Sequence, residues 1–391
     1  MTAPVIVSAT RTAIGRSFKG ALANTSAETL AATVLPEVLR RAGIEPSAVG
    51  DVIFAESNYG GGDLARYAAA ACGMNDVPGQ SVNRHCAGSL TAIGNAAAQI
   101  GCGMERVVVA GGVQSLSMLP VMKWRVPGPE PAFIEPWMPP SHPEAPDAPT
   151  GDMSITVGWN TATAAGLSRE EMDAWALRSH QRAVTAIDDG KFVDEIVPLK
   201  VQAPDGALVD FSVDEHPRRD TTMARLASLP VLHPEIDGFS ITAGNSSGLN
   251  DAAAAVALAD KDYADSRGLN VMATVKAWAA VGVAPRDTGL GAVKVIGRVL
   301  QRAGLTADDV NLWEINEAFA SVPIAACREY DLDEERVNFS GSGCSLGHPI
   351  AASGARMVTT LVYELRRRGG GIGVAAMCAG GGQGGAVVVE V

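Results

Sequence analysis

Aromatic residues and positive charge are scarce in this chain of 391 residues. Phe, Trp and Tyr make up 5% of it, and 31 Lys and Arg stand against 43 Asp and Glu, which gives a formal net charge of -12. Binding to nucleic acid or to an anionic membrane surface requires clustered positive charge. The acidic balance therefore argues against both kinds of partner, and an anionic ligand would need a local group of basic side chains.

Long apolar runs and metal-binding cysteine patterns are also lacking. The longest weakly polar runs, such as 68–72 and 107–113, are too short to span a bilayer, and Arg11 interrupts the segment where a signal peptide would have its apolar core. No CxxC motif occurs, and no cysteine stands at metal-ligand spacing from a histidine. We expect a reduced, cytoplasmic protein without a metal or bound cofactor. Its cysteines are Cys72, Cys86, Cys102, Cys327, Cys344 and Cys378.

The residues that are abundant predict an α/β fold. The hydrophobic fraction is 47%, with many Gly, Ala and Val, which suffices for a large core. Apolar runs predict strands at 5–7, 52–54, 106–110, 312–315 and 374–377, and periodicity predicts helices at 27–41, 89–100 and 168–189. Such alternation is typical of a parallel sheet covered on both faces. The proline-dense stretch 120–149 predicts a loop, and the alanine run after Asp251 a helix.

An internal repeat indicates that one α/β unit occurs twice. Four segments of the first half recur in the same order in the second, with a long insertion after the first copy. We predict a first half of residues 1–118 with about 251–272, an insertion of 119–250 and a second half of 273–391. The paired segments are 38–44 and 299–305, 51–54 and 311–314, 82–83 and 337–338, and 108–112 and 377–381.

Two residues in tight turns are candidates for nucleophile and base. Cys86 stands just before the predicted helix 89–100, whose free N–H groups and dipole favour a thiolate; a buried structural cysteine is the alternative. His348 lies between Gly347 and Pro349 on a turn that leads into a helix. That placement suits a general base, although a lone histidine is often an ordinary hydrogen-bonded polar residue.

Two further candidates follow predicted strands. Cys378 comes at the end of a strand and precedes a glycine-rich stretch that includes Gly380, where backbone N–H groups can point at a ligand oxygen. A phosphate-binding loop is less favoured, because no lysine follows the glycines. Asn316 follows the strand 312–315 and could hold a water or donate to an oxyanion, or simply cap the next helix. Two thiols, a base and oxyanion donors suit carbon–carbon bond chemistry of thioesters.

In these four segments the chain resembles the thiolase family over nearly its full length. The motifs stand in family order, and together they are highly specific. The resemblance implies a five-layered α-β-α-β-α fold of duplicated halves with an inserted CoA-binding loop domain, in a homodimer or homotetramer. The segments that carry the resemblance are 82–90, 316–319, 347–349 and 378–380.

The resemblance also implies roles. Cys86 would be acylated, His348 would take its proton, and Cys378 would move the α-proton of acetyl-CoA. His348 with a water held by Asn316 would form one oxyanion hole, and the N–H groups of Cys86 and Gly380 a second. The chain would thus be an acyl-CoA C-acyltransferase that condenses an acyl-CoA with acetyl-CoA, or cleaves a 3-oxoacyl-CoA with CoA, through an acyl-cysteine intermediate. The implied CoA and acyl contacts are Met153, Arg218, Ser247, Leu249, Ala318 and Phe319.

Departures from the family pattern bear on the substrate. Asp152-Met153-Ser154 stands where an acetoacetyl-specific branch has His-Met-Gly, and Cys344 adds a thiol before the histidine turn. Acyl chain length and the direction of the reaction therefore stay open. A decarboxylating ketosynthase would need a second histidine in place of Cys378 or Asn316. A CoA-thioester-binding protein without catalysis is the remaining alternative.

Overall fold

The computed structural model describes residues 2–59, 61–202 and 206–391. The helices and strands are, in chain order, β1 (Pro4–Thr12), β2 (Gly15–Arg16), α1 (Ala27–Ala42), β3 (Asp51–Ala55), α2 (Leu64–Ala71), β4 (Gly79–Val82), α3 (Gly88–Gly101), β5 (Val107–Gln114), β6 (Trp124–Val126), β7 (Ala132–Ile134), α4 (Asn160–Ala164), α5 (Arg169–Asp188), β8 (Ile196–Val197), β9 (Leu199–Gln202), β10 (Leu208–Phe211), α6 (Met223–Ala227), β11 (Asn250–Asp260), α7 (Lys261–Arg267), β12 (Ala273–Gly282), α8 (Leu290–Ala303), β13 (Leu312–Ile315), α9 (Ser321–Tyr330), α10 (Ser353–Arg367), β14 (Ile372–Ala379) and β15 (Gln383–Glu390). A π-helical turn spans Ser154–Trp159.

The strand order repeats, which confirms the predicted duplication. In the first half β3, β5, β11 and β1 are neighbours, and in the second half β13, β14, β15 and β12 follow the same order. Each series runs through one parallel and then two antiparallel pairings. Val337 pairs with Trp313 in parallel, in the same way as β4 pairs with β3. Antiparallel pairs Val5–Thr274 and Ile6–Ala273 join the halves.

The prediction of a purely parallel sheet was wrong. Each half is mixed, because the last strand of each unit, β11 or β15, inserts antiparallel between the first strand and the one before it. An antiparallel return needs only a short connection, whereas a parallel pairing requires a crossover. Alternation of strands and helices in the sequence shows the crossovers but not the direction of the last strand of each half. That strand follows a short turn in the second half and a long insertion in the first.

Helices form three layers around the two halves of the sheet. α1 and α2 pack on the outer face of the first half, and α8 and α9 on the outer face of the second. α3 and α10 lie between the halves, in a core with residues from both, such as Ile53 and Val387. Small residues let these central helices approach, since a Cβ at Gly354 would lie 2.8 Å from the backbone N of Leu90. The fold is thus the five-layered arrangement that the resemblance implied.

The predicted helix after Asp251 is a strand. Every residue of β11 is buried, and β11 pairs with β1 on one side and with β5 on the other. Alanine favours helices in isolation, but burial between two neighbours in a sheet decides the conformation here. The small side chains leave room for α1 and α10 on the two faces.

The region between β5 and β11 contains mainly irregular structure and the long helix α5. Ser168 and Glu171 form the predicted capping box at the start of α5. The proline-dense stretch contains a short antiparallel hairpin of β6 and β7 rather than loop alone. Arg11 of β1 ties this region to the first half through buried ion pairs with Glu195 and Asp214.

In the described part of the chain, no helix has both the length and the apolar character needed to cross a membrane.

Candidate active site

Cys86 lies in a tight turn immediately before α3. The turn is closed by hydrogen bonds from Ala87 N to Arg84 O and from Gly88 N to His85 O. Gly380 N–H donates to the Cys86 sulfur, as does the N–H of Cys86 itself. Burial nevertheless raises the pKa of the Cys86 thiol to about 11. Burial thus opposes the stabilisation of a thiolate that we predicted for the start of this helix.

Cys378 stands near the end of β14, close to Cys86. Burial raises the pKa of its thiol, and the neighbouring Cys86 raises it further. Gly384 of β15 pairs with Cys378, and a Cβ at Gly385 would lie 2.7 Å from the Cβ of Ala87. The turn between β14 and β15 thus packs directly on the Cys86 turn, which brings both thiols and the Gly380 N–H together.

The protonation of His348 follows from its hydrogen bonds. Its Nδ1 lies 2.6 Å from Ser353 Oγ, and the same hydroxyl donates to Pro349 O at 2.9 Å. A serine hydroxyl has one hydrogen, so Ser353 Oγ accepts a hydrogen bond from Nδ1–H. The lone pair of neutral His348 is therefore on Nε2. Burial, and secondarily the charge of Arg356, lower the pKa of His348 to about 4, which leaves Nε2 free to accept a proton at neutral pH.

Asn316 faces this imidazole. Its Nδ2 lies 3.4 Å from His348 Nε2, and its buried Oδ1 has no hydrogen-bond partner among the described residues. The alternative of a helix cap is wrong, because α9 begins only at Ser321 and its N-cap residue is Ala320. Asn316 instead extends from the end of β13, where Asn316 N donates to Ala376 O.

The start of α10 places His348 beside the Cys86 turn. Ala355 N donates to Ser89 Oγ at 3.0 Å, and a Cβ at Gly112 would lie 2.0 Å from Ala351 O. The first turns of α3 and α10, which follow the cysteine and the histidine, are therefore in direct contact. The cysteine turn of the first half and the histidine turn of the second half are therefore neighbours.

The first residue of β11 and the residues just before it hold the histidine turn. His348 N donates to Asn250 Oδ1 at 3.0 Å, and Leu249 pairs with His348 in a parallel bridge. Ser247 N donates to Ala318 O. Phe319 is largely buried and packs against Gly158. Ser247, Leu249, Ala318 and Phe319, all predicted substrate contacts, thus form one continuous wall beside the imidazole.

A cleft of about 550 Å³ opens next to this wall. Arg218 and Ser247, two of the residues predicted to contact CoA, line it together with Cys344; Leu249, Ala318 and Phe319 are not among its described lining residues. Met153 is not among the described residues that line the cleft. Its side chain packs at the edge of the core formed by the second half. The lining also includes the stacked imidazoles of His180 and His216, and burial lowers the pKa of each to about 4.

Sequence reasoning missed several residues that position the site. Ser353 fixes the tautomer of His348, and Asn250 fixes its backbone. Glu317 accepts hydrogen bonds from Trp175, Ser179 and the backbone N of Cys344, and so ties α5 to the histidine loop. The sequence signal was available for Ser353, a hydroxyl one turn after a Gly-His-Pro turn, but none distinguished Glu317 from other acidic residues.

The fold defines a class: a duplicated α/β protein with two helices between its halves, in which the turn that carries Cys86 meets segments that carry His348 and Cys378. Residues 4–262 match the family described as thiolase, N-terminal domain, and residues 269–391 match thiolase, C-terminal domain. This chain belongs to the thiolase family.

Relatives and a solved structure match it over nearly its whole length. The acetyl-CoA acetyltransferase of Pseudomonas aeruginosa is 40% identical over 97% of both chains. The 3-ketoacyl-CoA thiolase of Bacillus subtilis is 39% identical over 100% of both. The crystal structure of the Bacillus anthracis acetyl-CoA acetyltransferase superposes with a TM-score of 0.87 at 36% identity, covering 100% of this chain and 99% of that one.

Proposed function

We propose that this protein is an acyl-CoA C-acyltransferase that joins an acyl-CoA to acetyl-CoA, or cleaves a 3-oxoacyl-CoA with CoA, through an acyl-Cys86 intermediate. The observation that supports the proposal is that the Cys86 turn lies next to Gly380 and Cys378, while the helix after Cys86 contacts the helix after His348. Family membership supports the same reaction.

Acylation begins when His348 Nε2 takes the proton of the Cys86 thiol. The sulfur electron pair attacks the thioester carbonyl carbon, and the carbonyl π pair moves to oxygen. The N–H groups of Cys86 and Gly380, which already point at the sulfur, donate to this oxyanion. When the intermediate collapses, the C–S bond to CoA breaks, and the leaving thiolate takes the proton from His348.

Condensation uses the second thiol. Cys378 gives its thiol proton to His348 Nε2, and the resulting thiolate removes a proton from the α-carbon of acetyl-CoA. His348, with a water held by Asn316, stabilises the enolate oxygen. The α-carbon attacks the acyl carbonyl, and the Cys86 sulfur leaves with the electron pair of the broken C–S bond and takes the proton from His348. Because Asn316 Oδ1 has no partner among the described residues, it is available to hold that water. Cys378 and Asn316 stand where a decarboxylating enzyme would have a second histidine.

The ligands of the reaction are acyl-CoA and CoA as substrates, without a bound cofactor. Arg218 in the cleft offsets nucleotide phosphates. The protein acts in the cytoplasm, with no nucleic-acid or membrane partner. A homodimer or homotetramer is its working form, and β4 supports this because it lies at the end of the sheet and its outer edge pairs with no described strand.

The test is acylation of the purified protein. We expect incubation with acetyl-CoA to add one acetyl mass to the peptide that contains Cys86, and Cys86→Ala to abolish it. The wild-type protein should also consume acetoacetyl-CoA and CoA. A protein that binds CoA without catalysis would bind acetyl-CoA but would show no acetyl mass on the Cys86 peptide. That result would overturn the proposal. Rates over a series of 3-oxoacyl-CoA lengths would give the chain-length preference.

A further inference from the structure

A buried ion pair lies behind His348 and has no part in the proposed reaction steps. Arg356 Nη1 is 3.0 Å from Glu314 Oε2, and Arg356 Nη2 donates to Ser342 Oγ at 3.1 Å. Arg356 is 1% exposed and Glu314 0%. Arg356 Nε and Glu314 Oε1 lack hydrogen-bond partners among the described residues. A buried pair with unsatisfied atoms contributes little to stability, so stability alone does not account for it.

The pair connects the two elements that hold the base. Arg356 lies on α10, three residues after Ser353, which fixes the His348 tautomer. Glu314 lies on β13, two residues before Asn316, which faces the His348 ring. The Arg356 charge acts on His348 directly and opposes its protonation. The ion pair therefore joins the two elements that carry the neighbours of His348, and its guanidinium contributes to the electrostatic surroundings of the imidazole.

The positive charge of Arg356 opposes the proton transfer that acylation requires. When His348 takes the Cys86 proton, an imidazolium forms near a guanidinium in a site shielded from water, where like charges repel strongly. An ionised Glu314 offsets the guanidinium. Burial raises the pKa of Glu314 to about 7, with Glu317 and Glu195 adding to the rise and Arg356 opposing it. Those four groups and His348 make up the buried charges to consider here.

We propose that Glu314 is a positioning residue of the acyltransferase: its carboxylate neutralises Arg356 and thereby allows His348 to accept the Cys86 proton. The inference rests on the proposed function, since it concerns the acylation step. Protonation of Glu314 below neutral pH leaves Arg356 uncompensated, so acylation slows as the pH falls.

The test is single-turnover acylation by acetyl-CoA, followed by intact mass between pH 5.5 and 9. We expect the wild-type rate to fall as the pH drops through about 7. Glu314→Gln keeps the shape of the side chain without its charge. At pH 8 it should acylate at least about tenfold more slowly, with the same acetyl-CoA concentration for half-maximal rate, and it should lack the fall near pH 7.

Two further variants separate this role from a purely structural one. Glu314→Gln combined with Arg356→Gln leaves a neutral pair, and it should recover most of the rate while still lacking the fall near pH 7. Glu364→Gln removes a carboxylate that pairs with Arg367 and Arg368 farther along α10, and it should match the wild type. Circular dichroism checks that each variant is folded.

The outcomes are distinguishable. A wild-type protein that is never acylated refutes the proposed function itself. If the wild type is acylated but Glu314→Gln has the same rate and the same pH dependence, the role of Glu314 is refuted. A double variant that retains the fall near pH 7 refutes it as well, even if the single variant fails to fold.

Discussion

At the scale of single residues, hydrogen bonds determine which nitrogen of His348 can accept a proton. Ser353 donates its one hydroxyl hydrogen to Pro349 O. Its oxygen therefore accepts a hydrogen bond from Nδ1–H of His348, and Nε2 carries the basic lone pair. Burial then keeps the imidazole neutral. A base of low proton affinity suits a transient role, because it returns the proton readily to the leaving thiolate.

Ser353→Ala tests this assignment. Without the hydroxyl, Nδ1–H loses its acceptor and the Nε2–H tautomer becomes accessible, so acylation should slow by about 10- to 100-fold while acetyl-CoA binding changes little. Stopped-flow release of CoA measures the step. Thr359→Ala removes a buried hydroxyl from the same helix, one that bonds only to Ala355 O among the described residues, and should retain full activity. Equal rates for both variants would contradict the tautomer assignment.

Cys378→Ala tests whether Cys86 alone is needed for acylation and Cys378 only for condensation. We expect the variant to accumulate acetyl-Cys86, because Cys86, His348 and the Gly380 N–H are intact, yet to form no acetoacetyl-CoA. Intact mass follows the first step, and absorbance of the 3-oxoacyl product follows the second. Loss of both steps would mean that Cys378 also contributes to acylation, contrary to the proposed roles.

At the scale of elements, the contact between α3 and α10 brings the nucleophile and the base together. Each helix begins just after one of these residues, and their first turns meet at Ser89 and Ala355. Glycine at the crossing allows the approach, since a Cβ at Gly354 would lie 2.8 Å from Leu90 N and 2.9 Å from Ser89 Oγ. The backbone at the site is therefore set by helix packing rather than by flexible loops.

Gly354→Ala should separate the two helices. Overpacking of this kind destabilises a core by about 1–3 kcal/mol, and the shift should also reduce acylation by displacing His348 from Cys86. Urea denaturation and the acetylation rate report the two effects. Gly101→Ala, at the far end of α3, should keep stability and rate, because the added Cβ would lie 4.0 Å from its nearest neighbour among the described residues, Thr2 O. A matching loss there would point to a general effect of the substitution.

At the scale of the whole molecule, buried charges hold the region between β5 and β11 to the first half. Arg11 bonds Glu195 and, through both terminal nitrogens, Asp214, with all three side chains buried. These contacts join β1 to segments about two hundred residues later in the chain. Because the cleft includes Arg218, shortly after Asp214, the same anchor orients one wall of the cleft.

Arg11→Met should destabilise the protein by about 3–5 kcal/mol at pH 7, since it leaves buried carboxylates without their cation. Burial already raises the pKa of Glu195, and without Arg11 it should rise further. A carboxyl with a raised folded-state pKa loses stability as the pH rises, so the deficit should shrink between pH 7 and pH 5. Urea midpoints measure it. Arg40→Met breaks an exposed pair with Glu37 and should change stability by less than about 1 kcal/mol.

Much of the fold could be predicted from the sequence. The repeat predicted two equivalent halves, and apolar runs and capping residues predicted the helices α1, α3 and α5 and the strands β1, β3, β5, β13 and β14, because those signals are local. The motifs around Cys86, Asn316, His348 and Cys378 gave the reactive groups. Strand direction within each half was mispredicted, and so was β11, whose alanines favour a helix until two neighbouring strands pair with it.

The sequence by itself determined which groups are candidates for the reaction, since a thiol, an imidazole and an amide are chemical identities that need no neighbours to be recognised. Only the tertiary structure decided their states. Proton positions on His348, the raised pKa of the Cys86 thiol and the opposition of Arg356 and Glu314 depend on desolvation and on contacts between distant segments. Desolvation and these contacts are both absent in the extended chain, where every group is in water.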